Sequence, residues 1–254
     1  MSCFDDPSAG VVSGELRIRS GSTSAEVDIG MYWRFETWLR RQLACLDSIF
    51  GATGPIYAMR RSLASGVDIP PEILLDDAYL PLTAFFKGYR LVVDESALAF
   101  DYPHSLKSEF RRKVRTLSGN YQLIRYMPQL LTRKNRMLFH FLSYKVGRLM
   151  LPYICLLIAV SSWFLPRNIA VAAALAEGAL VALLVADYVI PEGFPLKRIS
   201  SPLRTFFTMM VATVCAVQVF FIEPLQLWKA ATIIPQMDAA IDNSALQSES
   251  DADR

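Results

Sequence analysis

Asp76 and Asp77 stand side by side in "PEILLDDAYLPLTAFFKGYRLV", Pro71 to Val92. Touching carboxylates repel each other unless a nearby group uses their charge. Two uses are open from the residues alone. At a helix start, acids are favoured by the macrodipole and need no chemistry. Facing a site, the charge can instead be used by a nearby group. The spacing of Leu82, Phe85 and Phe86 predicts a short helix that begins at the pair, stops at Gly88 and leads into a strand over Tyr89 to Val93.

Few other residues have the type and spacing for chemistry. Cys3, Cys45, Cys155 and Cys215 form no CxxC or Cys/His cluster, and His104 and His140 have no spaced partner, so neither a disulfide framework nor a zinc site is expected. "GATGPIYAMRR" places Gly51 and Gly54 before a short apolar strand, which permits close backbone approach to something. Arg112 and Arg115 are three apart, share a helical face and can grip one anionic group together. Gly119, after them, removes a side chain where that helix meets a ligand or partner.

These residues need a scaffold. The first hundred residues read as alternating α and β: an edge-like strand at "GVVSGELRIRS", then a helix over "DIGMYWRFETWLRRQLACLD" whose Tyr32, Phe35, Trp38, Leu39 and Leu43 are expected in a core. Residues 1–103 carry 9 Lys/Arg and 14 Asp/Glu, residues 104–148 carry 11 and one, and residues 229–254 carry 2 and 5. An acidic domain, a basic collar and an acidic tail point to a membrane boundary and away from nucleic acid. In the collar, Leu106, Phe110, Val114, Leu117 and Tyr121 form one stripe, predicting a helix that lies apolar side down in the headgroup zone.

Three apolar spans follow: Leu149–Leu165, Ile169–Ile190 and Thr205–Ile222. About 17 to 25 residues cross a hydrocarbon core of about 30 Å. With 53% apolar residues and a mean hydropathy of +0.29, the chain reads as a multi-pass membrane protein. Basic residues in the collar and at Lys197, Arg198 and Arg204 put residues 1–148 in the cytoplasm, in the inner or plasma membrane, with the tail 224–254 across it. Glu177 and Asp187 lie within the second span. They are expected either to pair with a neighbouring helix, Glu177 with Gln218 for instance, or to form an acid path of a channel or transporter.

The order "VSGELR", "YWRFETWLR", "GATGPIYAMRR", "LLDDAYLPLTAFFKGYRLVVDESALAFDY" and "EFRRKVRTLSGNYQL", then membrane helices, resembles the family 2 glycosyltransferases. Within them it is most similar to the membrane-embedded branch of cellulose, chitin and hyaluronan synthases, over almost the whole chain. The resemblance implies an α/β, GT-A-like domain over residues 1–103, interfacial helices over 104–148 and about three transmembrane helices over 149–223. It implies that Asp77 is the catalytic base, with Asp76 where the family usually has Glu. The family's Gln-x-x-Arg-Trp motif falls on residues 112–116: Arg115 matches, while Arg112 replaces Gln and Thr116 replaces Trp. Gly54 sits in the acceptor-site loop. Arg112, Arg115 and Thr116 are the implied substrate-binding residues beside it.

The resemblance further implies an inverting transfer of sugar from a nucleotide-sugar donor to a glycan or lipid-linked acceptor, with a divalent metal, Mg or Mn, at the leaving diphosphate. The family holds that metal with an Asp-x-Asp upstream of the stretch where this chain starts. Here Asp-x-Asp occurs only at Asp251–Asp253, in the polar tail. The expectation is a C-terminal portion whose metal ligands and nucleotide half lie elsewhere, in a separately encoded half for example, and which is inactive alone. Its sheet would leave Val11, Ile18 and Ile56 partly uncovered. The alternative is a catalytically inactive membrane scaffold or assembly subunit derived from such an enzyme.

Overall fold

The computed structural model describes residues 3–18, 24–101 and 106–223. His104 and the tail with Asp251 and Asp253 lie outside the described residues. The fold is mixed: a small sheet packed among helices, followed by long apolar helices. β1 (Ala9–Ile18) is followed by α1 (Ser24–Leu46), β2 (Tyr57–Met59), the single turn α2 (Arg61–Ala64), α3 (Asp76–Phe86) and β3 (Arg90–Asp101). Among the described residues the sheet order is β2-β1-β3, with β1 antiparallel to β2 and parallel to β3. The expected edge strand is therefore the central one. Ala9 to Leu16 are buried without alternation, because both faces of β1 are covered. Val11, expected to be partly bare, is fully buried in the main core with Leu82, Phe85 and Leu91.

α1 runs as the spacing predicts, but its aromatics are not core. Phe35 and Trp38 are 55% and 53% exposed, while Ile29, Glu36 and Leu43 turn inward. Leu43, expected in the core, is buried there and Leu39 packs against it, so the hydrophobic repeat located the helix and misplaced only its aromatics. At the other end of the sheet domain, α3 starts at Asp76, and Gly88, at φ +93°, ends it in a conformation disfavoured for other residues.

α4 (Leu106–Tyr126) is the collar helix. Most of its stripe packs inside the protein: Val114 and Leu117 are buried against Leu149, Ala212 and Ala216, with Phe110 and Tyr121 packed beside them. The short α5 (Leu138–Phe141) runs through a π-helical turn, Leu142–Val146, into α6 (Gly147–Ser162). α7 (Arg167–Ala186) and α8 (Lys197–Cys215) follow. Three helical stretches, Leu138–Ser162, Arg167–Ala186 and Lys197–Phe220, are long and apolar enough to cross a membrane. The first begins before the expected Leu149, so Lys145 and Arg148 belong to it and not to the collar.

The acids of the second span are not left as a path. Asp187, fully buried, is bound by Arg204 at 2.6 Å, Lys197 at 3.3 Å and Ser200 Oγ at 2.6 Å. Lys197 also donates to the Asp187 and Ile190 carbonyls, closing the end of α7. Glu177 accepts from Ser162 Oγ at 3.0 Å, on the preceding helix, and not from Gln218.

The sheet domain is locked to the first membrane helix through Glu36 of α1. Its carboxylate accepts from Arg148 at 2.7 Å, from Tyr32 at 3.3 Å and from the Tyr144 hydroxyl. Burial pushes the Glu36 carboxyl up, but Arg148, Lys145 and Tyr144 outweigh it and hold it down at about 2, below its ordinary 4.5. A depressed acid stabilises the fold above its unfolded value, and that stability is lost as pH falls through the folded one. Thermal melts in detergent should therefore lose stability between pH 4.5 and about 2. Glu36→Ala, which strands Arg148, should destabilise the protein by about 3 to 5 kcal/mol and flatten that acid transition.

Candidate functional site

Asp77 is placed by contacts from three sides. The Ala52 N–H donates to the Asp77 carbonyl at 2.8 Å, tying the Gly51–Gly54 loop to the first turn of α3. Ser13 of β1 accepts from Thr53 N–H at 2.8 Å, and Arg40 of α1 donates to Ser13 Oγ, the Gly51 carbonyl and Thr53 Oγ1 at 3.1 to 3.2 Å. From α4, Gln122 accepts from Leu74 N–H and donates to the Glu72 carbonyl, both at 3.0 Å. The partner of Gly119 is Leu75: a Cβ at Gly119 would lie 2.4 Å from Leu75 Cγ. The segment before the acid pair is thus clamped by α4, and the loop between α1 and β2 holds the pair from the other side.

The close approach permitted by Gly54 is to Asp77 itself. A Cβ on Gly54 would lie 2.9 Å from Asp77 Oδ2, so the bare backbone leaves the carboxylate open. Asp77 faces a cavity of about 790 Å³ between the sheet domain and the membrane helices. Gly54, Arg112, Arg115 and Thr116 line the same cavity. Asp76 is not brought there; it is exposed at the helix start. The two acids divide the two uses open in the sequence, since Asp76 sits at the solvated helix terminus and Asp77 in the cavity.

Sequence reasoning missed much of the wall. Arg40, Lys145 and Arg148 bring charge from α1 and the first membrane helix. Tyr32, Trp33 and Phe35 of α1 also line it, so two of the aromatics expected in the core, Tyr32 and Phe35, are cavity aromatics, while the third, Trp38, is exposed outside this lining. Arg112 lies over the Trp33 ring at 5.5 Å and pairs with Asp101 at 3.0 Å, while Lys113 lies over Tyr32 at 4.2 Å. The grip of Arg112 and Arg115 on one anion is thus partly engaged by Asp101. Thr116 Oγ1 donates to the Arg112 carbonyl at 2.9 Å. Leu151, Pro152, Pro202, Phe206, Met209 and Met210 of α6 and α8 form an apolar side. Nothing local in the sequence pairs α1 with the apolar helices.

Burial raises the Asp77 carboxyl above its ordinary 3.8, and Asp76 raises it further, while Lys145, Arg40 and Arg115 pull against both. The Arg115 guanidinium is lowered by burial and by Arg112, with Asp77 and Asp76 opposing. A carboxylate raised this way binds a proton more readily, which suits a general base. Among the described residues no group of three His, Cys, Asp or Glu is placed to hold a metal ion. These residues do not fit the divalent metal the resemblance implies, and no step below is routed through one.

No protein-family model and no curated protein matches this chain.

Because its folded pKa is raised, Asp77 makes the fold less stable as pH rises through the carboxylate range. Asp77→Asn should therefore melt higher than the natural protein at about pH 7, and the difference should vanish once both carry a neutral side chain in acid. Gly54→Ala should displace the carboxylate tip without much change in melting temperature, because the 2.9 Å clash is with the end of a side chain.

Proposed function

We propose that the chain carries the acceptor side of an inverting glycosyl transfer at a membrane, with Asp77 as the base. The observation that supports this most is the open carboxylate of Asp77 in the cavity, raised by burial and faced by the side-chain-free Gly54. An acceptor hydroxyl entering over Gly54 gives its proton to Asp77 as its oxygen bonds to the anomeric carbon. The bond from that carbon to the donor's phosphate oxygen breaks, and the nucleoside diphosphate leaves with the electron pair. Arg115 and Lys145, in the same wall, offset the negative charge that gathers there. Tyr32, Trp33 and Phe35 offer aromatic faces for a sugar ring. The partial GT-A-like domain, the nucleotide-sugar donor and the glycan or lipid-linked acceptor belong to this reading.

Asp77→Asn at the native locus should reduce sugar transfer from radiolabelled nucleotide sugars, in membranes of those cells, by about 10²-fold or more, the ordinary worth of a base. Residual transfer above about a tenth would remove Asp77 from that role. In the natural protein the acid limb of the pH–rate curve should fall above the ordinary carboxylate value of 3.8.

The reading places the sheet domain in the cytoplasm. The loop between α7 and α8 supports a shared side, since Glu192 accepts from Ser24 and Asp28 accepts from Ser201, both pairs joining it and the start of α8 to α1. In a background without the four native cysteines, a cysteine placed at Asn168 should react with an impermeant reagent on intact cells, and one at Lys87 should not. The reverse pattern would invert the protein.

A further inference from the structure

The start of α8 is held to α1 through a cluster of charges that does not balance. Three carboxylates, Asp28, Asp187 and Glu192, meet two cations, Lys197 and Arg204. Asp187 takes both cations. Glu192, 57% exposed, keeps its charge in water 3.9 Å from Lys197 and accepts from Ser24. Asp28 is left over. It is 9% exposed, accepts from the Ser201 hydroxyl and forms no ion pair among the described residues. Ser201 and Thr205, its neighbours on α8, are buried with it. The other charges that face α1 are engaged further along it. Arg112 and Lys113 of α4 lie over Trp33 and Tyr32, Arg148 binds Glu36, and Glu15 and Glu95 of the sheet bind Arg41.

A buried carboxylate with no cation of its own is the costly member of such a cluster. Burial raises the Asp28 carboxyl above its ordinary 3.8 and Asp187 adds to this, against the Ser201 hydroxyl, Arg204 and the Thr205 hydroxyl. A proton therefore binds more tightly while α8 is seated on α1 than when water reaches the carboxylate. Ionisation favours the arrangement in which the two part. Asp28, Pro202 and Thr205 also line the cavity, so water at Asp28 is water at the cavity wall. We propose that Asp28 is a proton-operated latch: neutral, it seats the start of α8 against α1 and closes that corner of the cavity; ionised, it draws water in and lets the two part. The latch regulates the cavity from one corner and does not depend on what the cavity binds.

Its test reads a distance and not sugar transfer, so its outcome is separate from that for Asp77. In a background without the four native cysteines, spin labels are attached through Gln42→Cys, near the far end of α1, and Ile199→Cys, at the start of α8, both exposed. The full chain in phosphatidylcholine nanodiscs is followed by double electron–electron resonance from about pH 8 to about pH 3. The distance distribution should narrow and shorten in acid, with a midpoint above the ordinary 3.8. Asp28→Asn should keep the acid distribution at every pH. Ser201→Ala removes a hydroxyl that eases the ionised form, so it should move the midpoint to higher pH. A distribution that ignores pH would overturn the proposal. A response that survives Asp28→Asn would also overturn it and pass the titration to Glu36 or Asp77. A midpoint indifferent to Ser201→Ala would remove the contact on which the latch rests.

Discussion

The cavity depends on one buried carboxylate. Glu36 belongs to the sheet domain, and its strongest partners, Arg148 and Tyr144, belong to the first membrane helix. A carboxylate taken out of water keeps its charge only if its lone pairs are satisfied, and here a guanidinium and two phenols do it. The bond is therefore positional. It cannot be traded for looser docking without exposing a charge on each side, so the domain and the membrane helices are held at one separation. α4 fills the rest of that interface. Its Val114 and Leu117 sit against Leu149, Ala212 and Ala216, while Ser118 Oγ donates to the Ala216 carbonyl at 3.0 Å. The space left between these contacts is the cavity.

That arrangement changes the meaning of the basic collar. Its composition pointed to a membrane boundary, and several of its cations are spent inside the protein. Arg136 binds Asp47 at 2.9 Å, lies 3.8 Å over the Phe85 ring and donates to the Phe85 and Tyr89 carbonyls at 2.7 and 2.6 Å. It ties the end of α3 to the entry of β3 and so supports the helix that carries Asp77. Acidic domain and basic collar are complementary halves of one internal interface as much as they are a sign of orientation.

The elements were legible because their patterns are local. Helix α3 announces itself by acids at its start and Gly88 at its end, and the apolar spans by length alone. The strand "GVVSGELRI" was legible as a strand but not as a central one, because its polar Ser13 and Glu15 look like a solvent face, whereas both are buried against polar partners, Thr53 and Arg41. The place of the α1 aromatics was misread for a related reason. The helix's buried anchor is Glu36, a residue that hydropathy assigns to water, and its aromatics border a cavity that hydropathy cannot represent. Asp77, Gly54, Arg112, Arg115 and Thr116 were named from the sequence and line one space. Lys145, Arg148 and Arg40 reach the same space through long-range packing that leaves no trace at their own positions. Asp187 illustrates the same limit, since its partners Lys197 and Arg204 lie in the next helix.

The acid pair combines two environments that neither residue provides alone. A carboxylate buried deeply enough to have a raised pKa is at risk of staying protonated, and one in open water gains no such rise. Asp77 takes the buried position, while Asp76 stays in water at the helix start, where its own charge is cheaply solvated and favoured by the helix dipole. From there its field adds to the effect of burial on Asp77. The cations Lys145, Arg40 and Arg115 act in the opposite sense and keep the ionised form within reach. Each of these three comes from a different element: the first membrane helix, α1 and α4. The proton affinity of Asp77 is therefore a readout of how the sheet domain is seated on the membrane helices, and the contact that sets the seating is the carboxylate of Glu36.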